Sequence, residues 1–488
     1  MGKHTKEELQ LLQGLPLEVK IKKTQQRIRE WVGEYGKDGV YISFSGGKDS
    51  TVLLHIARQI YPDIKAVFSN TSLEFPEIVQ FVRTFSNIDI VKPKMLYVEV
   101  IKKYGYPMIS KEVSECVHGA RKYLTKLIEE NSIAQTDRQT DRQTDRQTDR
   151  QTDRSGIIRN SVSYADWVST KKNETELNEI DSRCLKHLLH WDIEKTIDNL
   201  RIQRLMGINR KDGKATVENI PSVPDRSAYS CQRYQFFLDA PFEIGNQCCM
   251  IMKKNPMHKY AKDTGRKPIT AQMACESRLR TQQWLNSGCN GFDLKSPISN
   301  PMSFWTESDC LLYIKSHWDE MIEWRREEYK IKYGCYPEEF ETPFTIDSPI
   351  ASVYGDIVSD NEETGQMHLA DYMGAELFDL ERPNLHTTGC NRTGCFACGY
   401  GMHHEKTMEK SRIQSVIDYS NQKMADWMLR GGHFRESDGL WEPHQGLGMA
   451  FVCEWINQNG GFNMWYPDRE KYLSQLPDEC WNYIERGT

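Results

Sequence analysis

Val40-Tyr41-Ile42-Ser43-Phe44-Ser45-Gly46-Gly47-Lys48-Asp49-Ser50-Thr51 is the stretch whose reading decides the fold. Val40 to Phe44 is a short apolar run rich in β-formers and reads as a buried strand. Ser45-Gly46-Gly47 reads as a tight turn, because glycine alone enters positive φ cheaply and lets a ligand approach the backbone. From Asp49, residues Val52, Leu53, Ile56 and Ile60 share one face of a helix. A strand, a glycine turn and a helix N-terminus make an anion site: unpaired N–H groups and the helix dipole face the turn. Lys48 adds a full positive charge, and Ser45, Ser50 and Thr51 add hydroxyl donors. Asp49 stands where the Walker A pattern needs Ser or Thr, so this is a different phosphate loop. The reading requires Gly46 and Gly47 to face a cleft and Lys48 to aim into it.

Downstream, Ile64–Ser69 and Ile88–Val91 read as strands with a helix over Glu77–Phe85 between them, and Pro268–Met273 reads as a later strand. This alternation predicts an α/β fold with a doubly wound, mostly parallel sheet. Ligands of such sheets lie at the carboxyl ends of the strands, where the glycine turn falls and where Asn70 leaves the second strand. Residues 15 to 36 predict an amphipathic helix with Leu17, Ile21, Ile28, Trp31, Val32 and Tyr35 inward. Lys20, Lys22, Lys23, Arg27 and Arg29 then form a solvated face, with a nucleic-acid contact as the alternative.

The expected organisation is an N-terminal helix (1–36), the first part of the α/β domain (37–112), an insertion (113–235), the second part of the α/β domain (236–358), a Cys-rich segment (359–404) and a helical C-terminal region (405–488). Residues 135–154 are five copies of Gln-Thr-Asp-Arg, with no apolar residue to drive burial, and read as an exposed helix or a disordered insert. Helices near 178–190 and 192–206 and a loop over 209–227 are expected within the insertion. Residues 405–488 hold five of the twelve tryptophans and read as a packed accessory region.

With 488 residues and 38% apolar composition the chain can bury a large core. A net charge of −6 argues against a general nucleic-acid surface, leaving a local basic groove open. No apolar run approaches the ~20 residues of a membrane helix, and Met1 to Lys20 has no signal-peptide character. The expectation is a soluble, cytoplasmic protein without a membrane partner. Fourteen cysteines in such a chain argue for metal, cluster or catalytic use.

Cys248-Cys249 and the distant Cys395-x-x-Cys398 supply four soft thiolates, which suit a [4Fe–4S] cluster or Zn²⁺. A rival zinc set is Cys390, Cys395, Cys398 and His403. Gly389, Gly394, Gly399 and Gly401 would let the backbone wrap an ion. Arg278 and Arg280 could grip an anion through bidentate contacts, against the simpler reading of a capped helix start. Thr306 and Asp309 read as an N-cap pair. Ala351–Val358 fits a strand or turn near the site.

Ser45-Gly46-Gly47-Lys48-Asp49-Ser50 matches the SGGxDS loop of the PP-loop ATP pyrophosphatases. Asn70-Thr71-Ser72-Leu73-Glu74-Phe75-Pro76-Glu77 resembles the DTGxxFPE segment of phosphoadenosine phosphosulfate (PAPS) reductases, with Asn70 in place of Asp. Gly105-Tyr106-Pro107, Ser110-Lys111-Glu112, Glu276-Ser277-Arg278 and Asn300–Asp309 continue the likeness. The matches run in family order from residue 38 to about 404. The chain thus resembles PAPS reductase-like proteins, including DNA-phosphorothioation sulfurtransferase-like and phage-borne relatives, with an adenine nucleotide alpha hydrolase-like fold. The Cys-Cys and Cys-x-x-Cys pairs resemble the cluster ligands of adenylylsulfate reductases.

The resemblance implies that Ser45, Gly46, Gly47, Lys48, Asp49, Ser50 and Thr51 bind the phosphates of ATP or PAPS, with Asn70, Ser277 and Arg278 assisting. Lys48 and Asp49 would act in catalysis, with Asp49 holding Mg²⁺ or orienting the loop. The Glu-Cys-Gly-x-His nucleophile of sulfonucleotide reductases is absent; Glu479-Cys480-Trp481 comes nearest. The expected function is therefore adenylation with pyrophosphate release linked to sulfur transfer. The alternatives are a true PAPS reductase using Cys480 or Cys453, and a non-catalytic nucleotide- or DNA-binding regulator. Partners consistent with this are a nucleotide, a nucleic acid or sulfur carrier, and a second copy of the chain.

Overall fold

The computed structural model describes residues 3–126, 199–207, 230–337, 353–359, 384–389, 393–405, 412–419 and 422–485. The Gln-Thr-Asp-Arg repeat, the expected 178–190 helix, the 209–227 loop and Cys390 lie outside these residues. The chain forms two compact units. The first comprises residues 1–97, 249–398 and 407–426, and the second 98–248, 399–406 and 427–488.

In the first unit, β1 (Val40–Ser43), β2 (Ala66–Ser69) and β3 (Ile88–Val91) are joined by parallel pairing. On its other side β1 pairs in parallel with strand Lys267–Ile269, with Ile42 opposite Ile269. The six-stranded sheet continues through Ile298–Ser299, in parallel, to Asn290–Gly291, which is antiparallel. The mostly parallel α/β fold is as expected. Val40, Ile42, Ala66, Val67 and Ile269 are fully buried, because helices cover both faces of such a sheet. β1 sits where strand order reverses, so its carboxyl end is the crevice of the fold.

Helix α1 (Lys6–Gln13) was not expected, although Thr5 and Glu8 form the capping box that announces it. α2 (Leu17–Tyr35) follows the predicted bounds and buries Ile21, Ile28 and Trp31. Its Lys20 corrects the solvated-face reading. The ammonium is wholly buried and paired with Asp309. α3 (Lys48–Ile60) begins one residue early, and its buried residues surround it because it packs against α2 and the Glu307–Ser316 helix. α4 (Pro76–Arg83) starts on a proline at its first turn. The predicted Pro268–Met273 strand ends at Ile269, because Glu276 turns back onto the Met273 N–H (2.8 Å) and starts a short 3₁₀ turn.

The second unit holds the described part of the insertion together with residues 427–485, while 412–419 and 422–426 of the C-terminal region belong to the first unit. Tyr106 donates its backbone N–H to Glu243 O and its hydroxyl to Leu447 O, both at 2.8 Å. Gly105 takes φ 82°, where a Cβ would sit 2.4 Å from the Glu243 backbone. Phe237 and Phe242 pack on Phe451 and Trp455 of helix Met449–Gly460. Ser110 accepts from the Val113 N–H, so it caps the helical stretch over 111–126, and Lys111 is exposed. Among the described residues no helix is long and apolar enough to cross a membrane.

Candidate phosphate-binding site

The Ser45–Thr51 turn leaves the carboxyl end of β1 and enters α3 as the sequence requires. Gly46 has φ 73°, and a Cβ there would meet the Cγ2 atoms of Ile78 and Val82 at 2.7 Å. Glycine is therefore needed for both conformation and close packing on α4. The Ser50 and Thr51 hydroxyls donate to the Gly47 carbonyl at 2.9 and 3.0 Å. Ser50 Oγ also accepts from the Ser45 N–H, and Ser45 Oγ from the Gly47 N–H. Ser50 and Thr51 thus shape the turn, which corrects their reading as free donors; Ser45 is exposed at its tip.

Lys48 is buried, with its ammonium 3.0 Å from Glu307 and 3.2 Å from Asp49. Burial alone would favour the neutral amine. The charges of Asp49 and Glu307, with Tyr354 beside them, outweigh burial and hold the Lys48 pKa above its ordinary value. The loop therefore carries a fixed cation.

The expectation that the two glycines face an open cleft is corrected. Gly46 and Gly47 are buried. A Cβ on Gly47 would lie 2.8 Å from Thr393 Oγ1 and 3.0 Å from the Tyr354 hydroxyl oxygen. The Lys48 N–H donates to that same Tyr354 oxygen at 3.2 Å, and Tyr354 is hydrogen-bonded to Thr393 at 2.5 Å. The segment expected near the site is indeed there, in the form of a cover. Burial, as the largest cause, pushes the Tyr354 hydroxyl up to about 12, so it stays protonated.

The remaining candidates are dispersed around this turn. Asn70 accepts from the Ser72 N–H at 3.0 Å and so closes the bend after β2, where Ser72 has φ 67°. Ser277 caps the Arg278–Ser287 helix by accepting from the Arg280 N–H, and Arg280 is paired with Glu276. Arg278 is exposed. The capped-helix reading thus accounts for Ser277 and Arg280. Thr306 and Asp309 form the predicted capping box.

Around Lys253, three of the expected thiols share one neighbourhood. Cys395, Glu74 and Cys249 offset the desolvation of Lys253 and raise its pKa. Burial pushes the Cys395 thiol up to about 11 against the opposing pull of Lys253, with Cys398 and Cys249 contributing. Glu74 is buried and accepts from the Thr71 N–H and hydroxyl at 2.9 and 2.8 Å. Cys248 and His403 belong to the second unit. Among the described residues no group of three or more His, Cys, Asp or Glu is arranged to hold a metal ion. The glycines have other work: Gly389 packs on the Val353–Tyr354 backbone, where a Cβ would come within 2.9 Å, and Gly399 packs on Met108.

Sequence reading missed Glu307 as the partner of Lys48 and the Glu74–Lys253 pairing. A buried lysine announces that an anion must exist, but no local pattern says which one.

Residues 39–151 match the family model for the phosphoadenosine phosphosulfate reductase domain. An uncharacterized protein of Methanocaldococcus jannaschii is 37% identical over 70 residues, which is 13% of this chain and 17% of that relative.

Proposed function

Because this chain carries a PP-loop domain of the PAPS reductase type, we propose that its Ser45–Thr51 turn binds the phosphates of ATP or a sulfonucleotide and that the protein adenylates a substrate. A substrate oxygen attacks the α-phosphorus and forms a P–O bond. The bond from that phosphorus to the bridging oxygen breaks, and pyrophosphate leaves with the electron pair. A sulfur nucleophile then displaces AMP from the adenylate, which links the reaction to sulfur transfer. Lys48 stabilises the charge gathering on pyrophosphate, and the α3 N-terminus adds its dipole. The observation that carries the reading is the glycine turn at the carboxyl end of the sheet's switch-point strand, with a cation held charged beside it.

The cysteines support adenylation over PAPS reduction. Cys480 is fully buried, and burial pushes its thiol up to about 12, which disfavours a nucleophilic thiolate. Cys453 is fully buried too, and its pKa is likewise raised. Soft thiols around Lys253 match the donor chemistry of a cluster or zinc, but the described residues do not close such a site, so no step is routed through a metal. Asp49 is engaged with Lys48, which leaves its Mg²⁺ role as part of the proposal.

The buried glycines do not meet the open-cleft condition, so turnover requires the Tyr354–Thr393 cover to be displaced; left in place, the covered loop favours one second reading, a regulator that retains the fold without turnover. Exchange of labelled pyrophosphate into ATP separates the two. The adenylation reading expects exchange that Lys48→Ala abolishes while the fold persists. ATP binding without exchange, across candidate acceptors including nucleic acid, would favour the regulator.

A further inference from the structure

We propose that the Tyr354–Thr393 hydroxyl pair is an internal stopper of the phosphate loop, displaced when nucleotide enters. The inference rests on the phosphate-binding reading above and adds a regulatory element to it.

An amide N–H offers one good hydrogen bond along its axis. The Lys48 N–H, in the first turn of α3, gives that bond to the Tyr354 hydroxyl oxygen. An anion seated on the helix N-terminus would place an acceptor oxygen at the same position. Tyrosine oxygen and phosphate oxygen therefore exclude each other at this amide. The space before Gly47 is filled likewise, by Thr393 Oγ1 and the same tyrosine oxygen.

Tyr354 adjoins a hydrogen-bonded ribbon. Tyr354 is followed by Gly355 at φ 70° and by strand Ile357–Ser359, which pairs antiparallel with Leu385–Thr387. The Tyr354 carbonyl accepts from the Gly389 N–H at 2.7 Å, and the Asp356 N–H donates to Thr388 Oγ1 at 2.9 Å. A two-stranded ribbon thus follows Tyr354, and the Gly389 N–H holds the Tyr354 carbonyl to its far strand's end. The ribbon rests on the Glu307–Ser316 helix through hydrogen bonds between Ser308 and Leu385. That helix also supplies Glu307, which occupies the Lys48 ammonium. In the covered state a side-chain oxygen stands on the loop amide and a carboxylate on its cation, the two groups a phosphate would engage. Apparent affinity is then the intrinsic affinity scaled by the fraction of open molecules.

The test is titration calorimetry on the full chain with inorganic pyrophosphate and with MgATP, for wild type, Tyr354→Phe, Thr393→Val and Lys48→Ala. Removing either hydroxyl weakens the cover and should tighten binding about three- to tenfold. Thr393→Val probes the pair from its other side should Tyr354→Phe fail to fold. Wild-type binding that is lost in Lys48→Ala but equal or weaker in both hydroxyl variants would overturn the stopper and leave the phosphate site standing. Absence of binding in all four proteins would overturn both.

Discussion

The ammonium of Lys20 lies against the carboxylate of Asp309 with both groups sealed from solvent. Asp309 also accepts from the Thr306 N–H and hydroxyl at 2.7 and 2.8 Å, so one carboxylate joins α2 to the cap of the Glu307–Ser316 helix. Removing one member of a buried pair leaves an unpaired charge and costs about 3–5 kcal/mol. Lys20→Met should lower the denaturant midpoint by a corresponding amount. Combining it with Asp309→Leu should recover only part of the loss, because the cap is lost with the carboxylate.

Gly46 combines φ 73° with the methyl groups of Ile78 and Val82. Gly46→Ala should destabilise the first unit by about 1–3 kcal/mol, since strain and overpacking act together. Adding Val82→Ala relieves only the Val82 part of the packing, because Ile78 Cγ2 still stands 2.7 Å from the added Cβ. Chemical denaturation of the single and double variants should therefore show partial recovery, and full recovery would refute the strained-backbone account.

His55 is buried, and burial lowers its pKa to about 4 despite the nearby carboxylate of Glu320; His317 also lowers it. Its Nδ1 is 2.9 Å from the Tyr313 hydroxyl, which suits a neutral ring accepting from tyrosine. Between the unfolded value of about 6.5 and the folded value, the unfolded chain binds the proton and the native one does not. Stability should therefore fall as pH drops from about 6.5 to about 4, by on the order of 3 kcal/mol from this group. His55→Gln should flatten that part of the stability–pH curve.

Glu307 is about half exposed while its partner Lys48 is buried. A phosphate must compete with this carboxylate for the ammonium. Glu307→Gln should tighten pyrophosphate binding about two- to fivefold, in line with the modest value of a part-exposed pair, and the gain should shrink with added salt. Binding measured at two ionic strengths checks both statements.

The parts of the fold legible beforehand were those with local causes. Val40–Ser43 reads as a strand from its β-branched and aromatic run, and Thr306 with Asp309 reads as a cap from spacing alone. Lys20 was misread because helical periodicity assigns faces to an isolated helix, whereas Asp309, at the cap of the Glu307–Ser316 helix, meets its ammonium. The roles of Ser50 and Thr51 were misread for a related reason. Their type implies a donor but not whether the nearest acceptor is a ligand or the Gly47 carbonyl. The Pro268–Met273 strand was overlong because Glu276 competes for the Met273 amide.

The order of residues by itself determined the strand, the glycine turn and the helix that follow one another from Val40, since propensity, positive φ and dipole are properties of neighbouring residues. It also determined that a cation would stand at the turn. Only the tertiary structure decided what that cation and its amide face. Glu307, Tyr354 and Thr393 reach Lys48 and Gly47 across more than two hundred residues of chain. Such contacts depend on how the sheet and its covering ribbon close, which no run of adjacent side chains encodes.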